Sequence, residues 1–312
     1  MKPTLPGIHH VTAITADAQQ NLDFYCGVLG LRMVKLTVNF DDPKSYHLYY
    51  GDASGRPGSI MTFFAWAGAR RGQVGTPQVT ATAFAAPKGS LAYWGERLRE
   101  KDVAFEEVGN CFGETLLGFN DPDGMRLEIV AASETHADHS GPVPHEHAIQ
   151  GFHGVTISGE GHAHTARLLT ETMGFRAEGS EGNRFRYRAG TGSYASIVDL
   201  VCAPDARHGS MGAGVVHHVA FRTPDDAQQA AWRAELTGLG FNISPVMDRS
   251  YFHSIYFREP GGVLFEIATD VPGFATDESP DGLGTRLQLP AQYEEHRQQL
   301  EKLLPPLRLP QW

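Results

Sequence analysis

The stretch GIHHVTAITADAQQNLDFYCGVLGLRMV, residues 7–34, shows the unit from which the chain is built. A short β-rich run is followed by a turn, a segment with helical spacing and a second apolar run, which predicts a strand, a helix and a return strand. Three further stretches begin in the same way, at residues 78–108, 151–179 and 215–246. This self-similarity predicts four copies of one unit, which we call units one to four in chain order.

Each unit continues with a hairpin-like segment. In YHLYYGDASGRPGSIMTFF, residues 46–64, the turn sequence GDASG separates two strand-like runs. The repeating unit is therefore predicted to be βαβββ, and the fold α+β, with four units forming two modules.

The domain boundaries follow from the same pattern. We expect the first module at residues 1–135 and the second at 151–270, each with two units. The segment between them, 136–150, is polar, contains two prolines and is interpreted as a linker. In the tail, 271–312, the run AQYEEHRQQLEKLL predicts one helix, which we expect to pack on the outside.

The composition excludes several classes of function. A net charge of -10 argues against nucleic acid as a partner, because binding to phosphates relies on Lys and Arg. Three scattered cysteines without CxxC spacing support neither a disulfide framework nor a zinc ribbon. With no signal-like start and no long apolar run, we expect a cytoplasmic protein that contacts no membrane and has a small-molecule partner. The oligomeric state stays open, a homo-oligomer included.

Two units open with adjacent histidines, His9-His10 and His217-His218. Because successive strand side chains face opposite ways, only one histidine of each pair enters a given face of an ideal strand. The match of HHV in both units gives His10 and His218 equivalent positions on the face with the smaller neighbours. In GVLFEIAT, Glu266 is placed on a strand of the same unit as His218. We therefore predict that His10, His218 and Glu266 bind one metal ion.

Two histidines and one carboxylate form the facial triad of non-haem Fe(II) oxygenases, and these ligand types also suit Mn(II). Units two and three carry Ala81 and Gly154 at the positions of the two ligand histidines. Glu128 sits where Glu266 does, so a second site would be degenerate. A complete site thus requires unit one to pair with unit four.

A chain of βαβββ units with ligands on its strands resembles the vicinal oxygen chelate superfamily, which includes glyoxalase I, extradiol dioxygenases and antibiotic-resistance binding proteins. The motifs GIHHVT at 7–12, VVHHVAF at 215–221 and DRSYFHSIYFREPGGVLFE at 248–266 look like those of the hydroquinone ring-cleaving dioxygenases. The resemblance implies two vicinal-oxygen-chelate modules with curved mixed sheets. It also implies a non-haem Fe(II), extradiol-type dioxygenase that cleaves a small aromatic para-diol with O2.

The same resemblance implies the ligands His10, His218 and Glu266 that strand geometry had selected, and catalytic roles for Thr12, His217, Arg249 and Tyr256. His217 or Tyr256 would act as the general acid, and Arg249 would stabilise negative charge on the substrate. His217 conflicts with the strand argument, because an ideal strand turns it away from the face of His218. His253, in the same motif, is left without a role.

Two alternatives remain open from the sequence. A glyoxalase-type metal-dependent lyase or isomerase shares the fold but uses four protein ligands and Zn or Ni. Glu128 or His153 would supply the fourth ligand if the units paired differently. A non-catalytic aromatic-binding resistance protein would instead use the histidines as packing residues. An absolute O2 requirement would exclude the lyase, whereas a protein without bound metal whose ligand affinity is unchanged in His10→Ala would favour the binding protein.

Overall fold

The computed structural model describes residues 4–133, 141–190 and 194–310. Its strands are β1 Ile8–Thr15, β2 Arg32–Val38, β3 Tyr46–Gly51, β4 Ile60–Ala65, β5 Gln78–Pro87, β6 Phe105–Cys111, β7 Glu114–Asn120, β8 Arg126–Ser133, β9 Gly151–Gly159, β10 Arg176–Glu181, β11 Arg184–Arg188, β12 Ile197–Cys202, β13 Val216–Thr223, β14 Met247–Asp248, β15 Phe252–Arg258 and β16 Leu264–Pro272. Its α-helices are α1 Ala18–Leu22, α2 Leu91–Glu100, α3 Ala163–Arg167, α4 Asp226–Gly238 and α5 Arg297–Leu303. Helices α1 and α3 continue as π-helical turns, Asp23–Val28 and Leu168–Thr172.

Each unit has the predicted order of strand, helix and three strands. Helices α1 and α4 begin at side chains that accept hydrogen bonds from free backbone N–H groups. Asp17 caps α1 by accepting from the N–H groups of Gln19 and Gln20, both at 2.9 Å. Asp225 caps α4 in the same way through Gln228. The α+β class and the repeated unit are therefore confirmed.

The strands form two curved, mixed eight-stranded sheets. Sheet one has the order β14-β15-β16-β13-β1-β4-β3-β2, and sheet two the order β10-β11-β12-β9-β5-β8-β7-β6. Sheet one thus joins unit four to unit one through the antiparallel pair β1/β13, as predicted. Sheet two joins units three and two through β5/β9. Each sheet takes one unit from each half of the chain, so neither sheet coincides with residues 1–135 or with residues 151–270.

The central strand pairs contain bulges at corresponding places. In β1/β13 the register slips by one residue at His9 and again at His217, so each is the extra residue of a β-bulge. In β5/β9 it slips at the equivalent residues, Thr80 and His153. The bulges therefore occur in both sheets, with or without histidines at these positions.

The tail does not lie wholly on the outside, which corrects the expectation from its sequence. Phe274 and Leu283 are buried in a cluster with Tyr49 from sheet one. Lys35, fully buried on β2, is paired with Asp277 at 2.5 Å and also with Glu278. The apolar face of the sheet needs cover, and the tail supplies it.

Two smaller segments also differ from expectation. The predicted tail helix is a 3-10 turn, Ala291–His296, followed by α5. Of the linker 136–150, residues 136–140 lie outside the described part of the chain. In the rest, Val143 and Ala148 are buried, whereas Pro142 and His145 are exposed. Among the helices of the described ranges, none combines the length and apolar character needed to cross a membrane.

Candidate metal centre

Three strands of sheet one bring the predicted ligands together. His10 lies on β1, His218 on β13 and Glu266 on β16, and all three side chains are buried. The Nε2 atoms of the two histidines are 3.3 Å apart. Oε2 of Glu266 is 2.9 Å from Nε2 of His218 and 3.3 Å from Nε2 of His10. Strand alternation and the pairing of units one and four therefore suffice to assemble this cluster.

The donor set fits a divalent metal. Oε2 of Glu266 is buried without an aligned hydrogen-bond donor, although both ring nitrogens face it. Donor atoms at right angles around an ion about 2.1 Å away would lie about 3 Å apart, close to the spacing seen here. Burial works to raise the pKa of Glu266, but His10 and His218 outweigh it and hold that pKa well below its usual range. The carboxylate is thus ionised and available as a ligand.

A second layer of side chains supports the ligands. Nδ1 of His9 lies 2.9 Å from Nδ1 of His10, and Nδ1 of His217 lies 2.8 Å from Nδ1 of His218. A histidine that binds metal through Nε2 carries its proton on Nδ1 and donates it to a neighbour. Burial lowers the pKa of His9 well below its usual range and that of His217 to about 3, so both rings are neutral acceptors.

The carboxylate ligand has its own support. The hydroxyl of Ser254 donates to Oε1 of Glu266 at 2.5 Å, which leaves Oε2 directed at the histidines. Sequence reasoning missed both Ser254 and His9. The repeated HH pair was a signal for His9, but the bulge that turns its ring toward His10 depends on the partner strand.

A cavity opens beside the ligands. Most of its walls are aromatic, which suits a planar ring. The residues that line it are His10, Thr12, Asn39, Phe40, Asp41, His47, Tyr49, Phe64, His218, Arg249, Phe252 and Tyr256.

Three of the four predicted catalytic residues line this cavity, namely Thr12, Arg249 and Tyr256. Nε of Arg249 is 3.4 Å from the hydroxyl of Tyr256, and its Nη2 is 3.1 Å from Oδ2 of Asp41. Burial, followed by the charge of Glu266, raises the pKa of Tyr256, so its hydroxyl keeps its proton. Arg249 therefore places a positive charge, partly balanced by Asp41, beside a protonated phenol.

The fourth, His217, is not among the residues lining the cavity. Its bulge brings it against Nδ1 of His218 from behind the ligand, and it lines a neighbouring groove with Trp66 and Leu264. An ideal strand would turn His217 away from the face of His218, and the catalytic role implied by the resemblance would place it at the substrate. The observed position matches neither expectation. The bulge decides it, because an extra residue in one strand re-aims the side chain.

Among the described residues of sheet two there is no equivalent ligand set. Within the described ranges, His10, His218 and Glu266 are the only such group of metal-ligating side chains. Glu128 and His153, the candidates for a fourth ligand, lie in sheet two beside Arg184 and Arg186. His253 is directed away from the cavity, with Nδ1 2.6 Å from Oδ1 of Asp226. The pairing of units that would bring Glu128 or His153 to the three ligands is therefore not found among the described residues.

Comparison with known proteins identifies the family. The model of the Glyoxalase/Bleomycin resistance protein/Dioxygenase superfamily matches residues 7–129 and 151–267. The chain belongs to this superfamily. It is 49% identical over 305 residues to MhqO of Bacillus subtilis, provisionally named a ring-cleaving dioxygenase, covering 97% of both chains.

Two further similarities extend over most of the chain. A chlorohydroquinone/hydroquinone 1,2-dioxygenase of Sphingobium indicum is 37% identical over 297 residues, covering 92% of each protein. The crystal structure of a provisionally named dioxygenase from Bacillus subtilis superimposes with a TM-score of 0.95 at 47% identity, covering 100% of both chains. The resemblance seen in the sequence motifs is confirmed at the level of the superfamily and of these named relatives.

Proposed function

We propose that this protein is an Fe(II)-dependent, extradiol-type ring-cleaving dioxygenase that acts on a hydroquinone-type para-diol with O2. The observation that carries the proposal is the buried cluster of His10, His218 and Glu266 at the wall of an aromatic cavity. The names of the relatives in Bacillus subtilis and Sphingobium indicum support the same reaction class.

The number of ligands favours an oxygenase over a lyase. In unit four, Glu266 pairs with Ala220 on the opening strand. In unit one, Thr62 makes the corresponding pair with Thr12. A fourth protein ligand contributed by the internal symmetry would therefore stand at Thr62, and a threonine hydroxyl is a poor ligand for Zn or Ni. Two histidines and one carboxylate leave coordination positions free, which is typical of non-haem Fe(II) oxygenases.

The metal and the protein divide the chemistry between them. A bound Fe(II) would act as a Lewis acid toward a phenolic hydroxyl and supply the redox chemistry that O2 requires. Phe64 and Phe252 line the cavity with apolar surface, which excludes water from the diol ring. Arg249 stabilises negative charge on a substrate oxygen, and Tyr256 donates a proton from a hydroxyl that stays protonated at neutral pH. His217 holds His218 in the tautomer that leaves Nε2 free for the metal.

The test is anaerobic reconstitution with Fe(II), followed by measurement of O2 uptake with hydroquinone, catechol and the methylglyoxal–glutathione adduct. We expect uptake with hydroquinone, its loss in His10→Ala and its retention in His164→Ala, a control at an exposed histidine. Absence of O2 uptake with every diol would reject the dioxygenase. Turnover of the adduct without O2 would favour the glyoxalase-type alternative.

A further inference from the structure

A chain of buried hydrogen bonds runs through the cavity wall beside the ligands. Oγ1 of Thr12 is 2.9 Å from Oγ1 of Thr62, which is 2.9 Å from Nε2 of His47. Nδ1 of the same imidazole is 2.9 Å from the hydroxyl of Tyr49. All four residues are buried, Thr12 and Thr62 completely. The chain therefore contains three consecutive links sheltered from solvent.

Both ends of this chain reach the cavity. Thr12, His47 and Tyr49 line it, whereas Thr62, which joins Thr12 to His47, does not. Thr12 pairs with His218 across β1/β13, so its end of the chain lies beside a ligand. The chain leaves the cavity at Thr12, beside the ligand cluster, and returns to it at His47 and then at its far end, the phenol of Tyr49.

The internal symmetry of sheet one shows what this chain replaces. Tyr49 pairs with Thr62 as Tyr256 pairs with Glu266. In unit four the residue two before the tyrosine, Ser254, donates to Glu266. The corresponding residue in unit one is His47, which contacts Thr62. Thr62 thus stands at the position that corresponds to Glu266, and His47 at the position that corresponds to Ser254. Both side chains can donate and accept hydrogen bonds.

Every group in the chain has this double capacity. A hydroxyl donates one hydrogen bond and accepts others, and a neutral imidazole donates from one nitrogen and accepts at the other. Burial, and then the nearby His10 and His218, lower the pKa of His47 well below its usual range, so the ring is neutral. The chain therefore has two orientations, related by the tautomer of His47.

We propose that Thr12, Thr62, His47 and Tyr49 form a proton relay whose two ends both open into the substrate cavity. The proposal rests on the proposed function, which supplies the diol and O2. A diol hydroxyl gives its proton to Thr12 while the proton of Thr12 passes to Thr62. That of Thr62 passes to Nε2 of His47.

The second half of the relay completes the balance. The proton on Nδ1 of His47 passes to Tyr49, and the phenolic proton of Tyr49 passes to an oxygen that O2 has contributed to the product. One O–H bond breaks on the diol and one forms on the product. The relay exchanges the tautomer of His47 without changing the charge of the protein. Return of water after product release restores the first orientation.

Thr62→Val tests the relay, because it removes the central hydroxyl and nearly keeps the shape of the side chain. We expect kcat to fall about 100-fold, the scale of positioned proton transfer, while KM changes little. Thr62→Ser should recover most of the activity. Thr82→Val, a buried strand threonine in sheet two whose hydroxyl has no partner, serves as the matched control. His47→Gln is the second variant should Thr62→Val fold poorly.

The solvent isotope effect separates a relay from a structural role. Wild-type kcat should fall in D2O and give a curved proton inventory, since several protons move together. Thr62→Val should lose the curvature. Equal kcat and an equal isotope effect in Thr62→Val and wild type would overturn the relay.

A readout without turnover separates this proposal from the proposed function. Mn(II) binding, measured with the metal alone, should be unchanged in Thr62→Val. The ionisation of 2-nitrohydroquinone bound anaerobically to the Mn(II) protein can be followed by absorbance. Its pKa should rise by about one unit in Thr62→Val, because Thr12 loses the donor that polarises its hydroxyl. If this pKa shifts but the Fe(II) protein takes up no O2, the dioxygenase is rejected and the hydrogen-bond chain is retained. If the pKa is the same in Thr62→Val and wild type, the hydrogen-bond chain itself is overturned.

Discussion

Ser254→Ala should weaken metal binding without touching a ligand. The hydroxyl of Ser254 donates to Oε1 of Glu266 at 2.5 Å, and both side chains are fully buried. A hydrogen bond to a charged group contributes about 1.5–3 kcal/mol. We expect the metal-free protein to lose about this much unfolding free energy, since the carboxylate is ionised without metal as well.

The effect on metal affinity is smaller than this figure suggests, because the hydrogen bond is lost from both the free and the loaded protein. What remains is the loss of orientation, since Ser254 keeps Oε2 of Glu266 directed at the histidines. Loss of such support typically costs about 10-fold to 100-fold in affinity, and we expect the lower end of this range. Calorimetric titration with Mn(II) and urea denaturation measure the two quantities separately.

Ser158→Ala provides the control for this prediction. Its hydroxyl makes one hydrogen bond to Thr76 at 2.9 Å, in sheet two and between neutral groups. We expect a loss of about 1 kcal/mol in stability and unchanged Mn(II) affinity. Mn(II) affinity within twofold of wild type in Ser254→Ala would refute the reasoning, because it would show that Glu266 keeps its orientation unaided.

Three further changes test other parts of the structure. His9→Phe keeps a ring but removes the acceptor that lies 2.9 Å from Nδ1 of His10. Titration with Mn(II) should show an affinity about 10-fold to 100-fold lower than that of the wild type. Equal affinity would contradict the supporting role of His9. Burial raises the pKa of Asp121 to about 6, above its unfolded value. The contribution of Asp121 to the unfolding free energy should therefore fall by up to about 3 kcal/mol as pH rises from about 4 through about 6. Urea denaturation should show this contribution as the difference in pH dependence between the wild type and Asp121→Asn, and equal pH dependence in the two would contradict it. Phe274→Ala removes a buried ring whose centroid lies 5.1 Å from that of Tyr251. If the tail is part of the core, the free energy of unfolding should fall by about 3–5 kcal/mol in denaturation experiments. A loss below about 1 kcal/mol would indicate a loosely attached tail.

The predictable part of the site is the part set by local periodicity. Alternation along a strand selected His10 and His218, and the missing histidines at Ala81 and Gly154 predicted which units pair. Both inferences need only the sequence of one unit and its comparison with the others.

What could not be predicted depends on the register between distant strands. The bulge at His217 is a mismatch between β1 and β13, which are about 200 residues apart, so no pattern within either strand reveals it. The contact between Thr12 and Thr62 likewise requires the register of β1 with β4. The burial of Phe274 escaped notice because an isolated phenylalanine in a Gly- and Pro-rich segment has no periodicity.

The contrast between the two sheets explains why the described part of the duplicated fold has one ligand set. In sheet two, Glu128 corresponds to Glu266 and Asp199 to Thr62, so two carboxylates stand at ligand positions. Asp199 is held by both Arg184 and Arg186 and is therefore committed to an ion pair.

The histidine positions of sheet two are blocked in a second way. A Cβ atom built on Gly154 would lie 2.5 Å from the carbonyl oxygen of Ile197, so this position cannot take any side chain unless the backbone moves. Substituting histidines at Ala81 and Gly154 would thus fail to recreate the site of sheet one. Within the described residues, the single ligand set thus reflects two differences in sheet two: the close packing of the backbone at Gly154 and the absence of the two ligand histidines.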